Sequence, residues 1–142
     1  MHTTIENIIA DFELLDDWEE RYRHLIDLGR ALPLMPDALK TAATKVSGCA
    51  SQVWIYSVRA NTPQGKKLVL QGDSDSLIVK GLIAVVFALF SPLTLSEIVA
   101  CDAAAIFAKL GLKDHLTPQR SNGLAAMVLR IKADAAGAAH QG

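Results

Sequence analysis

The stretch Leu77–Phe90 (LIVKGLIAVVFALF) constrains this chain more than any other segment. Only Lys80 and Gly81 interrupt its apolar run, so as a helix it has almost no solvent face and must be surrounded by the rest of the fold. Its 14 residues fall short of a membrane span, which needs about 20. The segment therefore reads as the central helix of a core. The chain has 142 residues, enough to build such a core without metal or disulfide staples. Hydrophobic residues make up 51% and the net charge is −1, a balance that excludes intrinsic disorder. Lys plus Arg is 14 against 15 for Asp plus Glu, so there is no basic excess for a general nucleic-acid or anionic-membrane binder.

Around that helix the pattern predicts an α+β fold, with a small antiparallel sheet packed against several helices. Ile5, Ile8, Ile9 and Phe12 recur at helical spacing over residues 4–14. Asp17 followed by Glu20 reads as a capping box for a second helix, carrying Trp18, Tyr22, Leu25, Ile26 and Gly29 on one face. Pro33 and Pro36 prevent its continuation, and a short helical piece is expected near Asp37 to Lys45. Gln52 to Arg59 and Lys66 to Gln71 read as two strands of a hairpin turning through Asn61–Gly65, with Gly72 ending the second. Asp73-Ser74-Asp75-Ser76 supplies helix caps. Thr94 with Glu97, Asp102, and Thr117 with Pro118 mark three further helix starts, and Gly111 one end. The last helix carries Leu124, Val128 and Ile131 on one face. We expect a single domain over residues 1–142, with the tail from about 135 flexible. Trp18, Tyr22, Trp54 and Tyr56, at helical or strand spacing, are expected in the core rather than at a binding surface.

Few residues offer chemistry. His2, His24, His115 and His140 show no i, i+4 ligand spacing, and the two cysteines form no C-x-x-C pair. A structural zinc site needs four nitrogen or sulfur ligands, and a cysteine-ligated iron–sulfur cluster usually needs four thiolates. No metal site is therefore expected. Asp73-Ser74-Asp75 resembles the start of a calcium loop but lacks the glycine and final glutamate, so a capping role is favoured. No phosphate-binding glycine loop and no nucleophile elbow is present. The N-terminus lacks a basic segment leading into an apolar run, which predicts a cytoplasmic, reducing setting where thiols stay free. Cys49 sits in a small-residue loop, Ser47-Gly48-Cys49-Ala50-Ser51, at the mouth of a strand. There it could face a partner or fold back into a pocket. Cys101, in VACDAAA, reads as a small hydrophobe filling the core.

Four ordered blocks carry a resemblance. They are Trp18-Glu19-Glu20-Arg21-Tyr22 leading to Leu28-Gly29-Arg30 and Leu32-Pro33; Val46-Ser47-Gly48-Cys49-Ala50-Ser51-Gln52-Val53-Trp54; Gly72-Asp73-Ser74-Asp75-Ser76-Leu77-Ile78-Val79-Lys80-Gly81-Leu82; and His115-Leu116-Thr117-Pro118-Gln119-Arg120-Ser121-Asn122-Gly123-Leu124. Together the chain resembles, from about residue 5 to 133, the SufE family of sulfur acceptors, including its CsdE branch. The resemblance implies a fold like the U-type iron–sulfur scaffolds without their ligand set. It further implies a protein that takes persulfide sulfur from a cysteine desulfurase of SufS or CsdA type, stimulates that enzyme, and passes sulfur toward an iron–sulfur scaffold. The desulfurase would carry pyridoxal phosphate; this chain would need no cofactor. The family cysteine maps to Cys49. Arg120, Asp73, Gly48 and Ser51 are the expected partner-facing residues, and Arg120 and His115 are candidates to bring positive charge to the thiol. Two rivals stay open: a thiol hydrolase using Cys49 and His115, and an interaction module in which Cys49 is incidental.

Overall fold

Orphan amides at the helix starts find side-chain oxygens, and these caps set the element boundaries. The computed structural model describes residues 4–140. Thr4 caps α1 (Ile5–Leu14) and Asp17 caps α2 (Trp18–Arg30), the Asp17 carboxylate accepting the Glu20 amide at 2.9 Å. A hairpin follows, β1 (Val53–Thr62) and β2 (Gly65–Ser74), in antiparallel register from Val53↔Ser74 to Thr62↔Gly65. Ser76 caps α3 (Leu77–Phe90). A full capping box between Thr94 and Glu97 opens α4 (Leu95–Ala100), and Asp102 opens α5 (Ala103–Lys109). After α6 (Leu112–His115), the Thr117 hydroxyl accepts the Arg120 amide at 3.3 Å and starts α7 (Pro118–His140).

The central helix is enclosed as its composition requires: Leu82, Ile83, Val85, Val86 and Phe90 on α3 are fully buried. One face of the hairpin, through Val53, Ile55 and Leu68, closes the core, and Leu124, Met127 and Ile131 of α7 contribute to it. α2 lies against α3 so closely that only glycine fits at the crossing. A Cβ on Gly29 would lie 2.7 Å from the Gly81 nitrogen, and one on Gly81 would strike the Leu25 backbone.

Several expectations are corrected. The helical piece near residues 37–45 is a single 3-10 turn, Asp37–Leu39. Beyond it, the Thr44 hydroxyl donates to the Leu39 carbonyl at 2.6 Å, and Thr41 and Thr44 bond each other's amides; such side-chain bonds compete with a helix. Gly72 does not end β2, which runs to Ser74. It lies inside the strand because a Cβ there would sit 2.8 Å from the Phe87 ring. Asp73 is in β2 rather than at a helix start, and Ser76 is the cap. The chain turns at Pro63-Gln64, a tighter turn than expected. α6 is an additional turn of helix. α7 continues as helix from 135 to 140, with Ala135 fully buried; alanine-rich sequence favours helix. Trp18, Tyr22, Trp54 and Tyr56 are half-buried: Trp18 and Tyr22 pack against the edge of the core, while Trp54 and Tyr56 alternate along β1 with the buried Val53 and Ile55.

Candidate functional site

The loop between the 3-10 turn and β1 is built to present a small side chain against α7. Its upstream base is closed by the Val46 amide donating to the Val53 carbonyl at 2.8 Å, next to a bridge between Lys45 and Trp54. Gly48 has φ of +89°, a left-handed conformation that glycine adopts without cost, and this lets the chain reverse just before the cysteine. The loop then lies on the small-residue side of α7. A Cβ on Gly48 would meet Ala126 at 3.5 Å, and one on Gly123 would meet Cys49 Sγ at 3.6 Å.

Cys49 is half-buried, with Sγ 3.7 Å from the Gly123 carbonyl oxygen, within range of a weak S–H donor bond. It lines a cleft of about 240 Å³ with Ala50, Ser51, Val79, Gln119 and Arg120, floored by Gly123 and Met127. Burial alone pushes the Cys49 thiol above its ordinary pKa, because the thiolate loses hydration. Arg120 stands in the first turn of α7 on the cleft wall, and its guanidinium has no hydrogen-bond or ion-pair partner among the described residues.

The remaining candidates separate from this cleft. Asp73 is paired inside the fold: Lys40 Nζ is 2.7 Å and Lys80 Nζ 3.4 Å from its carboxylate, and the Ser74 amide donates to it at 2.8 Å. Burial raises the Asp73 pKa, but the bonds from Lys40 and Ser74 and the charges of Lys80 and Lys40 outweigh it, leaving the group below the usual carboxylate value. Lys40 also lies over the Trp54 ring, 5.5 Å from its centroid. His115 is stacked on Trp18 at 4.0 Å, and its carbonyl accepts the Tyr22 hydroxyl. It does not line the Cys49 cleft. Cys101 is the half-buried cap at the end of α4, its carbonyl accepting the Lys132 ammonium. Burial, helped by the Asp102 charge and opposed by Lys132, raises its pKa too.

The structure brings Cys49, Ser51 and Arg120, each singled out in the sequence, to one cleft, with Gly48 beside them. The sequence reading missed the part of Gly123, whose signal was an isolated glycine inside a helical pattern. Lys40 pairs locally with Asp37 at 3.4 Å, but its shorter pair with Asp73, 33 positions downstream, left no signal in the sequence.

A family model described as SufE, Fe–S metabolism associated domain, matches residues 6–135, which include Cys49, Asp73 and Arg120. The chain belongs to the SufE family. It is similar to an uncharacterized SufE-like protein of Rhizobium meliloti (strain 1021), 48% identical over 135 residues, covering 95% of this chain and 96% of that protein. A second SufE-like protein, from Rhizobium etli, is 48% identical over 132 residues, covering 93% of this chain and 89% of its own. In fold, the chain resembles the solution structure of a hypothetical protein from Thermus thermophilus, with a TM-score of 0.75 and 96% of both chains covered; at 19% identity this likeness concerns the fold alone. Membership of SufE places the chain in iron–sulfur metabolism. Among the described residues no helix is long and apolar enough to cross a membrane, and no three His, Cys, Asp or Glu side chains converge as a metal site.

Proposed function

We propose that this protein is a sulfur acceptor that takes persulfide sulfur from a pyridoxal-phosphate cysteine desulfurase onto Cys49, stimulates that enzyme, and hands the sulfur on toward an iron–sulfur scaffold. It acts as a carrier and activator, without small-molecule turnover of its own. The observation that carries the reading is the position of Cys49: a loop thiol half-sunk against Gly123 in a cleft shared with Arg120. In the reaction, the Cys49 thiolate attacks the outer sulfur of the partner's persulfide, a cysteine–S–SH. The new bond joins Cys49 Sγ to that sulfur, which keeps its proton. The partner's S–S bond breaks and its cysteine departs as a thiolate, so no external oxidant or reductant is required. A thiol raised in pKa by burial is mostly protonated at neutral pH, so docking of the partner must remove the proton or shift the loop. Arg120, uncompensated on the cleft wall, is placed to favour an approaching anion or a carboxylate of the partner.

The hydrolase reading lacks its base, because His115 is engaged with Trp18 and Tyr22 instead of lining the cleft. The deciding experiment is mass spectrometry after incubation with a desulfurase and cysteine. The native protein and Cys101→Ser gain one sulfur atom on the Cys49 peptide, removable by dithiothreitol. Cys49→Ser gains none and no longer stimulates the desulfurase. Equal stimulation by both variants would sink the assignment of Cys49 and leave an interaction module.

A further inference from the structure

Thr117, Gln119 and Arg120, which line the Cys49 cleft, lie at the start of α7. Only Leu116 and Thr117 separate them from α6, a single turn of four residues. One turn of helix has almost no stability of its own, so its neighbours decide where it sits and where α7 begins. α2 supplies those neighbours. The Trp18 ring reaches both ends of α6. It is stacked on His115, with centroids 4.0 Å apart and planes 16° apart, and a Cβ on Gly111, whose φ is +70°, would lie 3.1 Å from it. Arg21 lies over the same indole, 5.1 Å from its ring, and donates to the Phe12 and Leu15 carbonyls at 3.1 and 3.0 Å. One turn along α2, the Tyr22 hydroxyl donates to the His115 carbonyl, one of the acceptors that a helix end leaves without an intrahelical partner. Neither Trp18 nor Tyr22 lines the cleft.

We propose that Tyr22 is a positioning residue for Arg120: by holding the His115 carbonyl, its hydroxyl sets where α6 ends and α7 begins, and so where the guanidinium stands at the Cys49 cleft. The use of that placement rests on the sulfur-acceptor reading, whereas the grip on α6 does not. Removing the hydroxyl leaves the Trp18–His115 stack in place and turns the His115 carbonyl to water. The loss of one such bond shifts the balance between a seated and a displaced first turn by about fivefold.

The test titrates a cysteine desulfurase with native protein, Tyr22→Phe, Arg120→Ala and the double variant, reading half-saturating concentration and maximal stimulation separately. Tyr22→Phe should raise the half-saturating concentration about fivefold at retained maximum, and should add nothing to Arg120→Ala, because it acts through that residue. An unchanged half-saturating concentration would overturn the proposal. So would a further fivefold rise in the double variant, which would make Tyr22 a partner contact in its own right. A second arm follows amide hydrogen exchange in the free protein. The Leu116, Arg120 and Ser121 amides, bonded to the Leu112 carbonyl, the Thr117 hydroxyl and the Thr117 carbonyl, report on the junction. In Tyr22→Phe they should exchange about fivefold faster, while the amides from Met127 to Ile131, farther along α7, hold their native rates. Unchanged exchange at the junction, or a rise spread evenly over α7, would overturn the grip. If native protein stimulates no desulfurase, the acceptor reading fails, and the exchange arm still decides whether Tyr22 places the start of α7.

Discussion

A thiol seated beside a carbonyl oxygen in a half-closed cleft is held in its neutral form, and that has a measurable signature. Because burial disfavours the Cys49 thiolate, alkylation of the native protein should follow a pH profile displaced to the alkaline side of a peptide thiol. The displacement should vanish in denaturant. A profile centred at or below that of the peptide would show that a cation, not burial, dominates the site. Arg120 belongs to the same scale. Its guanidinium has no partner among the described residues, so Arg120→Ala should change stability by no more than about 0.5 kcal/mol. It should nevertheless weaken binding to the desulfurase by roughly tenfold; unchanged affinity with the fold intact would remove Arg120 from the docking surface. What sequence could reveal of the site followed from locality. Cys49 and Ser51 share a loop, and Arg120 lies in a recognisable block, so their types and blocks were legible. Asp73 was legible as a charge but not as half of an ion pair, because Lys40 reaches it across the fold.

Between elements, the tightest constraint is the α2–α3 crossing. Gly81→Ala would place a methyl group on the Leu25 backbone, which has no rotamer to escape into, so the variant should lose about 3 kcal/mol and melt well below the native protein. A melting temperature within a degree of the native value would contradict the crossing. The link between β2, the 3-10 turn and α3 through Asp73 has its own dependence on pH. A carboxylate whose folded pKa is depressed stabilises the fold at pH values above its unfolded pKa, and that contribution fades as pH falls through the folded value. Thermal melts through the acid range should therefore show a shallower loss of stability for Asp73→Asn than for native protein, the two curves converging at low pH. Identical slopes would mean that the Lys40 and Lys80 pairs add nothing. Helix starts were the most readable features, since Asp17, Thr94, Asp102 and Thr117 each announce a cap within four residues of sequence. Gly72 and the 37–45 segment were misread for the opposite reason: a distant Phe87 ring and a pair of threonine hydroxyls decide them. Ala135, at the start of the stretch expected to fray, is buried, which composition alone does not tell.

For the whole molecule, the α+β architecture follows from the one helix that tolerates no water, around which the hairpin and the other helices had to close. The thiol site, by contrast, is assembled from segments far apart in the chain. Its loop comes from residues 47–52, while Gln119, Arg120, Gly123 and Met127 all come from α7. α7 also anchors the loop's approach, with Arg130 donating to the Lys45 carbonyl at 3.3 Å and pairing with Asp134, which accepts the Ser57 hydroxyl. During synthesis the N-terminal part of a chain emerges first. Cys49 therefore leaves the ribosome long before the helix that shelters it. Until α7 has emerged and docked, the thiol has neither Gly123 nor Arg120 beside it and no cleft around it. The cleft around Cys49 is thus complete only once α7 has docked against a loop made some seventy residues earlier.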